Sequence, residues 1–155
     1  MNELLNTTPP HSVKDFCLFR WNANNHGGNN YLISSNSSYV ALPLDEILTN
    51  TSNFILDTDS IVLPCDGIFL FTGVLRVLNS INSDIGSSKF VLYVALHLND
   101  PQITGVRLDG TPITHFVDNY SFAFMAKKDD KFSIRVSKQS GNCYMRTFGA
   151  TLTCL

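Results

Sequence analysis

Charge is scarce in this chain. Asp, Glu, Lys and Arg make up 15% of its 155 residues, against a usual share of about a quarter. Eleven basic residues against thirteen acidic ones leave a formal net charge of -2. That balance gives no electrostatic footprint for nucleic acid or an anionic membrane. No apolar stretch approaches the roughly 20 residues of a membrane span, which excludes insertion by a helix. The start, Met1 to Pro10, lacks the basic and apolar segments of a signal peptide. The expectation is a protein that reaches its destination without secretion, or a sequence that begins after a removed leader. Amphipathic helical periodicity is missing, as are internal repeats and the Gly-X-Y period of a collagen stalk. So are G-x-S-x-G, the P-loop and H-E-x-x-H, and with them the commonest sequence signs of hydrolase, nucleotide and zinc-protease chemistry. None of the four cysteines, Cys17, Cys65, Cys143 and Cys154, stands in a C-x-x-C pair or at zinc-finger distance from a histidine, so no structural metal or other cofactor is expected. Free, mostly buried thiols fit them best.

What is present is apolar and β-forming. Hydrophobic residues reach 44% and aromatics 11%, enough for one domain with a real core. The surface must then be built largely from Asn, Ser and Thr. The organising stretch runs from Ile61 through Pro64 and Gly67 to Val77. Pro64 removes a backbone donor, and Gly67 permits a conformation that a side chain would forbid, so together they mark a corner between strands. Beyond it Phe69 and Phe71 point to one face, and Ile68 and Leu70 to the other. Both faces are apolar, so one is expected against a second sheet and the other against a neighbouring chain.

Residues 1–12 carry Pro9-Pro10 and no periodicity, and are expected to be a flexible arm or tether to a head spanning 13–155. Strands are expected at Asp15–Trp21, Tyr31–Ile33, Tyr39–Leu42, Phe54–Leu56, Ile61–Leu63, Ile68–Leu78, Lys89–Leu98, Ile103–Leu108, Ile113–Val117, Tyr120–Ala126, Lys131–Val136 and within Cys143–Leu155. Leu44–Leu48 suggests a single helical turn, and Asn22–Asn30 and Asn79–Ser88 suggest loops. About ten short, evenly spaced strands without a helix define an all-β sandwich or jelly roll.

Candidates for chemistry are few. His26 beside Gly27-Gly28 lacks a spaced partner and fits an exposed loop histidine. His97 fits a packed or edge histidine. His115 with Asp118 resembles an orienter pair, but no nucleophile is tied to it. Cys143 has only Arg146 nearby in sequence to lower its pKa. Asp57, Asp59 and Asp66 form a weak calcium candidate, since Asp-rich turns are far more often simply solvated. Asn6, Asn36, Asn50 and Asn119 stand in N-x-[ST] sequons, which arise by chance in so Asn- and Ser-rich a chain.

Ile61, Pro64, Gly67, Phe69 and Phe71 form a pattern that resembles the globular heads of complement's first component, in the superfamily that also holds tumour necrosis factor (TNF). Leu96-His-Leu-Asn99-Asp is similar to the family's strand-ending Leu-x-x-Asn-Gly. Tyr120–Ala126 followed by Asp130–Val136 resembles its hairpin with a Gly-Asp turn, with Asp129 where the family has Gly. Thr147-Phe148-Gly149 resembles the closing strand. The resemblance implies a ten-stranded, two-sheet antiparallel jelly roll that assembles as a trimer. It implies a core of Phe69, Phe71, Ile134, Val136 and Phe148, and a threefold seam of Leu70, Thr72, Asn119, Ser121 and Thr147. Thr72 and Thr147 are small and polar where TNF-type seams are rich in Tyr and Leu. The first and last strands would be neighbours, making Cys17 and Cys154 a candidate disulfide.

The expected function is a non-enzymatic, homotrimeric structural or attachment head on a particle surface, such as a virion, phage or spore. Its partners would be itself, a cell-surface receptor or glycan, or other particle proteins, with no nucleic acid and no membrane insertion. The alternatives are an extracellular signalling ligand of the TNF or complement kind, and a sugar-binding module or small hydrolase on the same sandwich.

Overall fold

A computed structural model of the chain describes residues 15–29, 31–33, 38–51, 53–78, 90–110, 116–141 and 143–155. The described residues form twelve strands and one 3-10 turn. They are β1 (Phe16–Asn22), β2 (Tyr31–Leu32), β3 (Val40–Ala41), β4 (Glu46–Asn50), β5 (Ile55–Asp57), β6 (Ser60–Val62), β7 (Gly67–Leu78), β8 (Phe90–Leu98), β9 (Gln102–Gly110), β10 (Phe116–Ala126), β11 (Lys131–Ser140) and β12 (Tyr144–Cys154). The first sheet runs β10-β7-β12-β1-β4, with β2 also on β12, and the second runs β5-β6-β11-β8-β9, with β3 also on β11. All pairs are antiparallel. This is a two-sheet jelly-roll sandwich.

The core lies between the sheets. Phe69, Phe71, Leu75 and Val77 of β7, Phe124 of β10 and Phe148 and Leu152 of β12 face Leu92, Val94 and Leu96 of β8 and Phe132, Ile134 and Val136 of β11. Aromatic rings knit the layers together: Phe71 lies 5.3 Å from Phe132 and Phe124 stacks on Phe132 at 5.2 Å, while within the first sheet Phe69 stacks on Phe124 at 5.9 Å. The five expected core residues are all buried.

The corner before β7 is built as a clamp. Gly67 adopts φ 157°, outside the range that residues with a side chain favour. Leu63 N donates to Asp130 O at 2.9 Å, Asp129 N donates to Leu63 O at 2.9 Å, and Lys128 N donates to an Asp66 carboxylate oxygen at 2.7 Å. The corner is thereby held on the β10–β11 turn while the chain crosses from the second sheet to the first.

Three local expectations are corrected. Leu44–Leu48 does not make a helical turn, because residues 46–50 pair as β4 with the edge of β1, with Arg20 bonded to Glu46 at 2.7 Å. A five-residue helix bears its nucleation cost without enough bonds to offset it, whereas an open strand edge offers partners at once. Phe116–Val117 and Tyr120–Ala126 are not separate strands, since Asp118 and Asn119 continue the ladder against Leu75 and Val74 of β7. The last hairpin strand extends past Val136 to Ser140 along β8. The expected arm, residues 111–115 with His115, and the loop Asn79–Ser88 lie outside the described residues.

Candidate functional site: the outer face of the first sheet

Alternation along β7 turns Ile68, Leu70, Thr72 and Val74 away from the core. Register places Met125, Ala123 and Ser121 of β10 opposite Ile68, Leu70 and Thr72. On the other flank Thr153, Thr151 and Gly149 of β12 stand opposite Leu70, Thr72 and Val74. In the single chain Met125 is 79% exposed, Ile68 47% and Val74 41%. Apolar side chains thus mark both ends of a face whose middle is small and polar. Thr72 and Ser121 hydroxyls meet there at 3.3 Å.

Of the expected seam residues, Leu70 is half-buried, Thr72 and Ser121 are exposed, and Thr147 is half-buried opposite Arg76. Asn119 pairs through its backbone with Val74, and its side chain lies outside the described residues. Sequence reasoning did not single out Met125 and Val74, although period-two alternation from Phe124 and Phe71 carries the signal for both. An apolar groove of about 190 Å3 opens beside this face between β10 and β9, lined by Val94, Leu96, Val106, Ser121 and Phe122 among others.

A second concavity is polar. A cleft of about 510 Å3 at the edge of the other sheet is lined by Tyr39, Asp57, Asp59, Asn99, Lys131 and Arg135 among others. Its charges are largely paired: Lys131 reaches Asp57 at 2.6 Å and Arg135 reaches Asp100 at 3.5 Å. Asp57 and Asp59 share this cleft, while Asp66 caps Lys128 N elsewhere. No group of three or more metal-ligating side chains occurs among the described residues. Next to the cleft His97 is 6% exposed, with its Nδ1 2.8 Å from Asp100 O and its ring edge-on to Tyr39. A carbonyl only accepts, so Nδ1 donates to it, and Nε2 is buried without a partner among the described residues.

The remaining candidates among the described residues make local contacts. His26 Nε2 sits 2.7 Å from an Asp45 carboxylate oxygen, and its ring stacks on Trp21 at 5.1 Å, pinning the loop after β1. Asp45 accepts from Asn22 N at 3.0 Å as well. Asn50 uses both ends of its amide on the Phe54 backbone. Cys143 is fully buried and its thiol is pushed up to about 12, by burial first of all. Arg146 turns instead to Gly28 O at 2.8 Å. Cys17 is likewise buried, opposite Leu152, and pushed up to about 12 by burial. Cys154 has its sulfur 3.3 Å from that of Cys65.

No family model and no curated protein matches the chain. Solved structures do. The globular domain of zebrafish complement 1qA protein matches with TM-score 0.56 and 10% identity over 92% of this chain and 97% of that one. Eiger TNF from S. frugiperda matches with TM-score 0.63 and 12% identity over 92% of each chain. Murine APRIL matches with TM-score 0.57 and 6% identity over 90% of this chain and 98% of that one. At such identities the likeness is one of fold, and the fold of this chain is the TNF-like jelly roll of complement globular heads and TNF-family ligands.

Proposed function

We propose that this chain is a non-enzymatic, homotrimeric head that builds or decorates a particle surface and attaches it to a receptor, a glycan or a neighbouring subunit. The observation that carries the reading is the outer face of the first sheet. Met125, Ile68 and Val74 are large apolar side chains left open in one chain, on a sheet whose other face is already filled. Large apolar side chains exposed on one face of a sheet are a mark of a binding surface. The groove between β10 and β9 continues it and gives a neighbouring copy an edge to grip. A weakly charged exterior rich in Asn, Ser and Thr suits close lateral packing and contact with neutral sugars. The cleft at Tyr39, Asp59 and Asn99 offers an aromatic ring and polar side chains to such a ligand.

Sedimentation velocity of the full chain at micromolar concentration tests the assembly, with a trimer expected. A species that stays monomeric would end the reading. Antibody labelling of intact particles tests the placement, with label on the outside expected. Absence from particles, together with activity of the free chain on receptor-bearing cells, would shift the assignment to a secreted ligand.

A further inference from the structure

We propose that Cys65 and Cys154 are a disulfide-forming pair that locks the last strand to the corner before β7. Their sulfurs lie 3.3 Å apart across 89 residues of chain. The approach is fixed by backbone on both sides. Cys65 follows Pro64 in the corner clamped by Leu63, Asp66 and the β10–β11 turn. Cys154 is held in the ladder opposite Phe69, and its N–H donates to Asp15 O at 2.7 Å. The corner packs directly on the sulfur: a Cβ on Gly67 would stand in ordinary contact with Cys154 Sγ, at 3.4 Å. Bonded sulfurs sit about 2.05 Å apart, so closure needs a shift of about an ångström, within reach of small side-chain rotations. Both residues are half-buried, which leaves them reachable by a small reagent, whereas Cys17 and Cys143 are sealed in the core.

The oxidant is a low-molecular-weight disulfide such as oxidised glutathione. The thiolate of one cysteine attacks a glutathione sulfur, forming a mixed disulfide and expelling a glutathione thiolate. The second cysteine's thiolate then attacks the protein sulfur of that mixed disulfide, forming the Cys65–Cys154 bond and expelling the second glutathione. The two cysteine protons pass to the two glutathione thiolates, so two protein thiols are oxidised and one glutathione disulfide is reduced. The product ties the second sheet's exit to the first sheet's final strand and closes a long loop in the unfolded chain, the geometry in which a crosslink restricts that state most.

The test is peptide mapping of the folded full chain after oxidised glutathione, digested without reductant, beside a melting curve. The expected result is a Cys65–Cys154 crosslinked peptide and a melting temperature raised by roughly 5–15 °C. Both should persist in Cys17→Ser and vanish in Cys65→Ser. Unreacted thiols, stable glutathione adducts, a Cys17–Cys154 link, a link between chains, or a crosslink without a melting shift would each overturn the proposal. Mapping of the unmutated chain decides the pairing even where a variant fails to fold.

Discussion

Burial sorts the four thiols into two classes that chemistry can read. Cys17 and Cys143 have no exposed surface, and burial holds both near 12, so almost no thiolate exists there at neutral pH. Cys65 is raised to about 11, by burial first and then by its bond to Cys154 and the nearby Asp15 and Asp66. Iodoacetamide treatment of the reduced, folded protein is expected to label Cys154 and, more slowly, Cys65, which solvent reaches, and Cys17 and Cys143 only after unfolding. Equal labelling of all four under native conditions would contradict the closed core. A second residue-scale prediction concerns space. A Cβ on Gly73 would lie 2.6 Å from the tip of the Phe71 ring, so Gly73→Ala forces that ring out of its packed position against Phe132. The expected loss is about 1–3 kcal/mol, read from urea unfolding. Phe71→Ala should lose about 3–5 kcal/mol. Because the two positions share one space, Gly73→Ala combined with Phe71→Leu should cost less than the sum of the separate changes.

At the scale of elements, the β10–β11 turn depends on one carboxylate. Asp130 accepts from Asn99 Nδ2 at 3.0 Å and from Lys127 N at 2.8 Å, and these bonds, the Asn99 one first, hold its pKa below the ordinary value. A carboxylate with a depressed folded pKa adds stability above its unfolded pKa, and that stability is lost as pH falls through the folded value. The stability difference between the unmutated chain and Asp130→Asn should therefore be present at pH 7 and shrink as acid protonates the group in both states. A constant difference across a urea series from neutral to acid pH would remove Asp130 from this role. The same turn shows what the sequence makes legible. Lys127–Asp130 reads as a turn because charged residues break two alternating runs, and Asp129 takes φ 69° where the related pattern has Gly. Phe69 and Phe71 declare their face by alternation alone. The join of Phe116–Val117 to Tyr120–Ala126 stays hidden because Asp118 and Asn119 are poor strand formers, and only the ladder to β7 holds them extended. The Cys65–Cys154 approach is hidden for another reason: it depends on how a corner folds over the end of a strand 89 residues away.

For the whole molecule, the proposed trimer depends on how firmly copies would hold together. The middle of the outer face is Thr72, Thr151 and Ser121, which contribute little apolar area, while aromatic side chains usually dominate tight interfaces. In the proposed trimer the association energy would come from the apolar ends of this face, above all Met125 at 79% exposure. Fully burying a methionine is worth roughly 1.5–3 kcal/mol, and a threefold assembly buries three of them. Met125→Lys removes that gain and adds three like charges to the proposed assembly, so the trimer association constant should fall more than a hundredfold. The fold of each chain should not change, because Met125 lies outside the core that Phe69, Phe71 and Phe148 fill. Sedimentation across a concentration series, with circular dichroism on the same samples, separates the two effects. A trimer that survives Met125→Lys undiminished would show that copies meet through some other surface, and the outer face of the first sheet would then have to be read as a site for a different partner.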